Sequence, residues 1–97
     1  MPYIKQEERD KIDTTLQKFV VDYSSFLKNP GNLNFVLTKI ALAGLEKVSY
    51  TELNKIVGVL ECVNLEFYRR LVSKYEDIKI LENGDVSTLY EYYKKDK

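Results

Sequence analysis

The sequence predicts a single all-α domain, a bundle of three to four helices in which the third helix is the longest. Apolar residues recur at steps of three and four over three long segments, which places them on one face of a helix in each. The few turn-forming residues separate these segments, at Asn29-Pro30-Gly31, at 46–49 and at Asn83-Gly84. A length of 97 residues suits one domain, so residues 1–97 are expected to form one unit.

The first two segments carry one apolar face each. The first covers residues 5–28. Asp13 and Thr14 could cap a new helix inside it, so a short opening turn before the main helix is as plausible as one continuous helix. The second covers residues 32–46 and is expected to end near Gly44, because glycine weakens a helix interior by about 1 kcal/mol relative to alanine. Its apolar face comprises Leu33, Val36, Leu37, Ile40, Ala41 and Leu45.

The third segment has the clearest start signal. Ser49 and Glu52 have the spacing of a capping box, in which the serine hydroxyl accepts from a backbone N–H and the glutamate reaches back. A helix from Tyr50 to Tyr75 would be roughly 40 Å long, whereas a domain of this size has a radius of gyration of about 13 Å. Part of this helix is therefore expected to pack against another chain or against the C-terminal tail, and we expect a homo-oligomer.

Two interpretations remain open beyond Tyr75. The helix continues to a cap at Asn83-Gly84, which we favour, or these two residues form the turn of a β-hairpin. From Ser87 onward the chain either adds a short docking helix or stays loose. Three tyrosines of this tail either form a docking surface or cover the domain's own core: Tyr90, Tyr92 and Tyr93.

Composition argues against several classes of partner. Fifteen basic and fifteen acidic residues give a formal net charge of zero, whereas a nucleic-acid binder normally carries a basic excess. No stretch approaches the roughly 20 apolar residues that span a bilayer, and the N-terminus lacks the apolar region of a secretory signal. Cys62 is the one cysteine, which excludes an intramolecular disulfide and suits a reducing compartment. We therefore predict a cytoplasmic protein without a membrane partner.

Catalytic and metal chemistry are not expected. The chain has no histidine and so lacks both the common general base and the ligands of the usual zinc sites. Cys62 has no evident activating partner and is expected to be a small core residue. Two pairs of carboxylates match no magnesium or calcium motif and are expected to be solvated: Glu76 with Asp77, and Glu82 with Asp85. We predict that the protein is not an enzyme and has neither a metal site nor a cofactor.

Several short motifs resemble a known family. They are Met1-Pro2-Tyr3-Ile4, Leu65-Glu66-Phe67-Tyr68-Arg69-Arg70, Tyr75-Glu76-Asp77 and Asn83-Gly84-Asp85-Val86. With these motifs the chain resembles a family of small proteins that are encoded by bacteriophages and related bacterial elements and have no assigned activity. The resemblance covers residues 1–86, so residues 87–97 are expected to be an extension. Asn64 and Ser73-Lys74 depart from the pattern, in which lysine and Ala-Pro are expected.

The end of the longest helix and the turn after it form the sharpest candidate site. Arginine binds phosphate or carboxylate in a bidentate manner, and tyrosine rings offer faces on which a base can stack. The alternative is a solubilising helix face, on which Glu66 forms intrahelical ion pairs with the arginines. The residues predicted to bind an anionic ligand, such as a nucleotide, are Tyr68, Arg69, Arg70, Tyr75, Lys79, Asn83 and Asp85.

Two functions of different class follow. The first is non-enzymatic binding of such a ligand. In a phage-like protein this activity would sequester a host defence signal, a use that the resemblance implies. The second is a protein–protein interaction module, either an inhibitor or an assembly factor, that acts through exposed tyrosines and apolar helix edges. If the protein is phage-encoded, either function would operate in the host cytoplasm.

Overall fold

The computed structural model describes residues 2–90, and helices make up most of them. The helices are α1 (Gln6–Asp22), α2 (Ser24–Leu27), α3 (Pro30–Ala43), α4 (Tyr50–Phe67), a π-helical turn (Tyr68–Val72) and α5 (Ser73–Asn83). No strand occurs within residues 2–90. The segment from Tyr50 to Asn83 is one long helix, which confirms the all-α class and the helical interpretation beyond Tyr75. The predictions for Tyr92 and Tyr93 lie outside the described residues, and oligomerisation stays a prediction.

The first predicted segment forms two helices that are separated at Tyr23. Three aromatic rings meet at this corner. The ring centroids of Phe19 and Tyr23 are 4.9 Å apart, and those of Tyr23 and Phe26 are 6.2 Å apart in an edge-to-face arrangement. The alternative start at Asp13 and Thr14 does not occur, because both residues lie inside α1. Tyr23 is the C-cap of α1, and its backbone N–H donates to the carbonyls of Phe19 and Val21.

Asn29 and Pro30 begin α3 two residues earlier than the sequence predicted. The Asn29 side chain accepts a hydrogen bond from the Asn32 backbone N–H at 3.1 Å. Proline is favourable at the first helical position, where its missing N–H would have no partner in any case. The Asn32 side chain also donates to the Phe26 carbonyl at 3.0 Å and so links α3 to α2. The predicted end near Gly44 is confirmed, because Gly44 is the C-cap.

A small polar cluster fixes the loop between α3 and α4. The Ser49 hydroxyl accepts from the Glu52 N–H at 3.2 Å, as predicted for a capping box. The Glu52 carboxylate, however, accepts from the Glu46 N–H at 2.9 Å and from Lys55 at 2.9 Å. Lys55 also donates to the Gly44 carbonyl at 3.1 Å. The hydrogen bond from Glu46, and then the one from Lys55, holds the pKa of Glu52 below its ordinary value.

The chain divides into two units, residues 1–61 and residues 62–97, and the prediction of a single domain stays a prediction. None of residues 2–90 is buried, in either unit. Cys62 is exposed, so its predicted place in a core is wrong. The physical reason is that the described residues contain no buried core in which a small side chain could lie. Among the described helices, none is both long and apolar enough to cross a membrane.

Candidate functional site

The seven residues predicted to bind a ligand all belong to the unit of residues 62–97. Tyr68, Arg69 and Arg70 lie on the π-helical turn, Tyr75, Lys79 and Asn83 lie on α5, and Asp85 lies in the loop that follows. The structure brings some of these residues together and leaves others apart. The ligand site itself stays a prediction.

A shallow groove of about 560 Å³ lies at the C-terminal end of α5. Lys79, Asn83 and Asp85 line it, so three of the predicted residues meet there. Gly84 bends the chain at this point with a positive φ of 86°, a conformation that glycine adopts readily. The other side chains that line the groove are those of Glu76, Ile80, Val86 and Tyr90.

The charges of this groove, which we call the α5 groove, are mixed. The Lys79 ammonium lies 5.4 Å from the centroid of the Tyr75 ring and 2.9 Å from a carboxylate oxygen of Glu82. Two carboxylates, from Glu76 and Asp85, line the groove together with this one ammonium group. An anion would therefore meet repulsion as well as attraction. Within the described residues, no group of three or more acidic or cysteine side chains is placed to hold a metal ion.

Tyr68, Arg69 and Arg70 lie on the π-helical turn itself, and neither they nor Tyr75 line the α5 groove. The Ser73 N–H bonds to the Tyr68 carbonyl, five residues back, and the Ser73 hydroxyl donates to the Arg69 carbonyl at 3.0 Å. The hydroxyl thus pairs with the carbonyl that the N–H of Ser73 would take in a regular α-helix. The spacing of apolar residues in the sequence did not predict this π-helical turn.

Arg69 takes part in the ion pair that was the alternative to a ligand site. One of its terminal nitrogens lies 3.4 Å from a carboxylate oxygen of Glu66, three residues earlier. The Arg69 side chain is mostly exposed. An exposed pair of this kind contributes only about 0–1 kcal/mol. The Arg69 guanidinium group therefore lies beside its acidic neighbour on an exposed part of the helix.

Two apolar grooves lie open in the unit of residues 1–61. The α1–α3 groove, of about 610 Å³, lies between α1 and α3. The α3–α4 groove, of about 360 Å³, lies on the other side of α3. The α1–α3 groove is lined by Ile12, Leu16, Phe19, Phe35, Val36 and Ile40, with Lys11 and Lys39 beside them. The α3–α4 groove includes Leu37, Leu42, Leu45, Leu53, Ile56 and Leu60.

The composition of α3 indicates that the helix has apolar surface on more than one side. Its 14 residues include a single charged side chain, Lys39. A helix that is apolar on nearly all sides is normally covered on all sides, yet Phe35, Leu37 and Leu42 are exposed. The sequence analysis assigned α3 a single apolar face. The structure instead leaves apolar surface open on both sides of the helix.

This fold and its open grooves define a small all-α protein whose helices present apolar faces to solvent. The chain belongs to the family described as Domain of unknown function (DUF6899), whose model matches residues 1–86. The extent of the predicted family resemblance is thus confirmed, whereas a phage origin stays a prediction. No functionally curated protein and no solved structure matches the chain.

Proposed function

We propose that this protein is a non-enzymatic interaction module that binds other protein surfaces through the apolar faces of α1, α3 and α4. One observation carries the proposal. Residues 2–90 contain no buried side chain, although 44% of the sequence is hydrophobic. Ordering the backbone costs about 1–2 kcal/mol per residue, and apolar burial is the main term that offsets this cost. A chain with open apolar faces therefore gains stability when a partner covers them.

The size of that gain can be estimated from two residues of the α1–α3 groove. Phe35 is 61% exposed and Ile40 is 57% exposed. Complete burial of a large apolar side chain contributes about 1.5–3 kcal/mol. Covering what these two side chains still expose would thus contribute roughly 2–3 kcal/mol. This is a large share of the 5–15 kcal/mol by which native proteins are typically stable.

The test compares the complexes formed by the full chain and by variants of its apolar faces. The double variant Leu37→Lys/Val57→Lys places two charges in the α3–α4 groove. Val48→Lys changes an equally apolar residue that is 83% exposed in the loop before α4. We expect the wild type and Val48→Lys to sediment as complexes, with themselves or with a protein of the expressing cell, and the double variant to lose them. The proposal would be contradicted by a wild type that is monomeric both when purified and in extracts of the expressing cell, and that unfolds in one cooperative transition.

The α5 groove supports a second candidate, which is binding of an anionic small molecule such as a nucleotide. In a phage-encoded protein this binding would sequester a host defence signal. The supporting observation is that Lys79, Asn83 and Asp85 line one groove and that the Lys79 ammonium lies over the Tyr75 ring. This candidate ranks second because carboxylates line the same groove.

A melting screen with cyclic and linear nucleotides tests the second candidate. A ligand that binds only the folded chain raises the melting temperature through the term RT ln(1 + [L]/Kd). Lys79→Gln should abolish the shift, whereas Lys74→Gln, on the same helix but outside the groove, should keep it. Loss of the shift in Arg69→Ala and Arg70→Ala as well would extend the site to the π-helical turn. If no nucleotide shifts the melting temperature, this candidate is wrong and the first is unaffected.

A further inference from the structure

We infer that residues 91–97 of this chain continue the helical turn at Leu89 and Tyr90 and cover the α5 groove. Residues 91–97 lie outside the described residues, but Tyr90, the last described residue, already lines the groove. The groove and this segment both belong to the unit of residues 62–97. Covering of the α5 groove is independent of the proposed interaction function, which uses the apolar faces of α1, α3 and α4.

The described chain enters this segment as the first turn of a helix. The Ser87 hydroxyl accepts a hydrogen bond from the Leu89 N–H at 3.2 Å, and the Ser87 carbonyl accepts one from the Tyr90 N–H at 3.3 Å. A serine that accepts in this way is a typical N-cap. Seven further residues of helix would rise about 10 Å, and α5 rises by the same length over the seven steps from Glu76 to Asn83.

The α5 groove offers apolar side chains and an unpaired carboxylate to such a segment. Ile80 and Val86 line it, and Val86 is 92% exposed. The Glu76 carboxylate also lines the groove and forms no ion pair within residues 2–90. The ammonium group of Lys79 lies 2.9 Å from a carboxylate oxygen of Glu82. The groove therefore suits an occupant that carries an aromatic ring and positive charge.

The sequence after Tyr90 places both on one helix face. Three side chains follow Tyr90 at steps of three, four and seven, namely Tyr93, Lys94 and Lys97. In a helix these steps lie on the face of Tyr90, which lines the groove. The two acidic residues of the segment follow at steps of one and six and fall on other sides. The face towards the groove thus carries two positive charges and no negative charge.

Covalent continuity favours this segment over a separate partner. A segment joined directly to a residue of the groove has an effective concentration on the order of millimolar at that surface. A nucleotide in the α5 groove would have to displace the segment. Docking of residues 91–97 would therefore weaken, and not assist, the binding of an anionic ligand there.

Disulfide cross-linking of the full-length chain tests this inference. In a Cys62→Ser background, which removes the one native cysteine, Glu76→Cys is combined with Lys94→Cys. The matched control combines Glu76→Cys with Lys95→Cys, one residue further on and off the face of Tyr90. Two cysteines form a disulfide only when their Cα atoms lie within about 7 Å. We expect the first pair to cross-link within one chain at least tenfold faster than the control pair.

Amide hydrogen exchange in the chain with its native Cys62 gives a second, independent measurement. Lys94→Glu places a carboxylate opposite Glu76 and should speed exchange of the amides of residues 91–95 at least tenfold. The charge swap Lys94→Glu/Glu76→Lys should restore the slow exchange. Lys95→Glu makes the same change off the face and should exchange like the wild type.

Each of three results would overturn the inference. The first is equal cross-linking, or none, in the two cysteine pairs. The second is cross-linking between two chains, seen as twice the mass of 11.4 kDa, because the segment would then cover the groove of another copy. The third is exchange that Lys94→Glu and Lys95→Glu change equally. None of these results bears on the apolar faces of α1, α3 and α4, so the proposed function is tested separately.

Discussion

At the scale of single residues, two glycines with open space around them should respond in opposite ways to alanine. A Cβ atom added to Gly84 or Gly58 would meet no neighbouring atom within 4 Å. Gly84, however, has φ 86° and ψ 160°, a backbone conformation that is nearly specific to glycine. Gly58→Ala lies inside α4 and should stabilise the protein by about 0.5–1 kcal/mol. Gly84→Ala should destabilise it by about 1–3 kcal/mol.

Urea denaturation of both variants at one protein concentration measures this contrast. Because neither methyl group meets another atom, the difference reports backbone conformation alone. Changes of the same sign in the two variants would contradict the explanation.

Glu52 should make the stability of the loop before α4 depend on pH. The hydrogen bond from the Glu46 N–H is the main reason that the pKa of Glu52 lies below its ordinary value, and Lys55 adds to it. A carboxyl group with a lowered pKa stabilises the folded state above its unfolded pKa, and this contribution disappears as the pH falls through the folded value. The stability difference between wild type and Glu52→Gln should therefore be present at pH 7 and vanish in strong acid.

Denaturation curves at pH 7 and below pH 4 measure this difference. Glu61→Gln, further along the same helix, controls for the loss of one negative charge. A difference that persists unchanged in acid would show that the carboxylate of Glu52 is not the stabilising group.

At the scale of the helices, Asn29 tests how α3 begins. Its side chain accepts from the Asn32 N–H at 3.1 Å and so satisfies one of the free donors of the first turn. Asn29→Ala should cost about 1 kcal/mol of stability, and Asn29→Asp should keep most of it because aspartate caps equally well. Denaturation followed by circular dichroism measures both variants. Equal stability of alanine and aspartate variants would mean that Pro30 alone sets the start.

The helix boundaries that were predicted correctly have local causes. Gly44 and Gly84 end helices, and Ser49 begins one, through hydrogen bonds within a few residues of the chain. The break at Tyr23 was not predicted, because neither proline nor glycine marks it in the sequence. The π-helical turn was not predicted either, because the sequence there has neither proline nor glycine.

The π-helical turn also explains why the candidate site was only partly foreseeable. The grouping of Tyr68 with Tyr75 and Lys79 assumed regular α-helical spacing. A turn with i→i+5 hydrogen bonds shifts the residues that follow it around the helix axis. Lys79, Asn83 and Asp85 follow this turn and line one groove, whereas Tyr68 lies within the turn and does not. The spacing of residues in the sequence therefore predicts which side chains share a helix face only within a stretch of regular α-helix, and not across such a turn.

At the scale of the whole molecule, the sequence predicted which side chains are apolar on each helix but not what covers them. Leu37 and Ile40 follow the pattern of a core, and the same pattern results whether the cover is another helix of the chain or another molecule. The excess length of the third segment was the sequence feature that pointed beyond one chain. The open grooves beside α3 agree with that expectation, which stays a prediction until association is measured.

The melting temperature should therefore rise with protein concentration. If two copies unfold together, each tenfold rise in concentration stabilises the assembly by about 1.4 kcal/mol. For a unit of about 150–250 residues, 1 kcal/mol shifts the melting temperature by about 2–4 °C. Each tenfold rise should then add about 3–6 °C. Calorimetry over a hundredfold range of concentration measures this slope, which Val48→Lys should retain and Ile40→Glu should lose. A melting temperature that does not change with concentration would instead mean that the monomer stays folded while the apolar side chains of α3 are exposed to water.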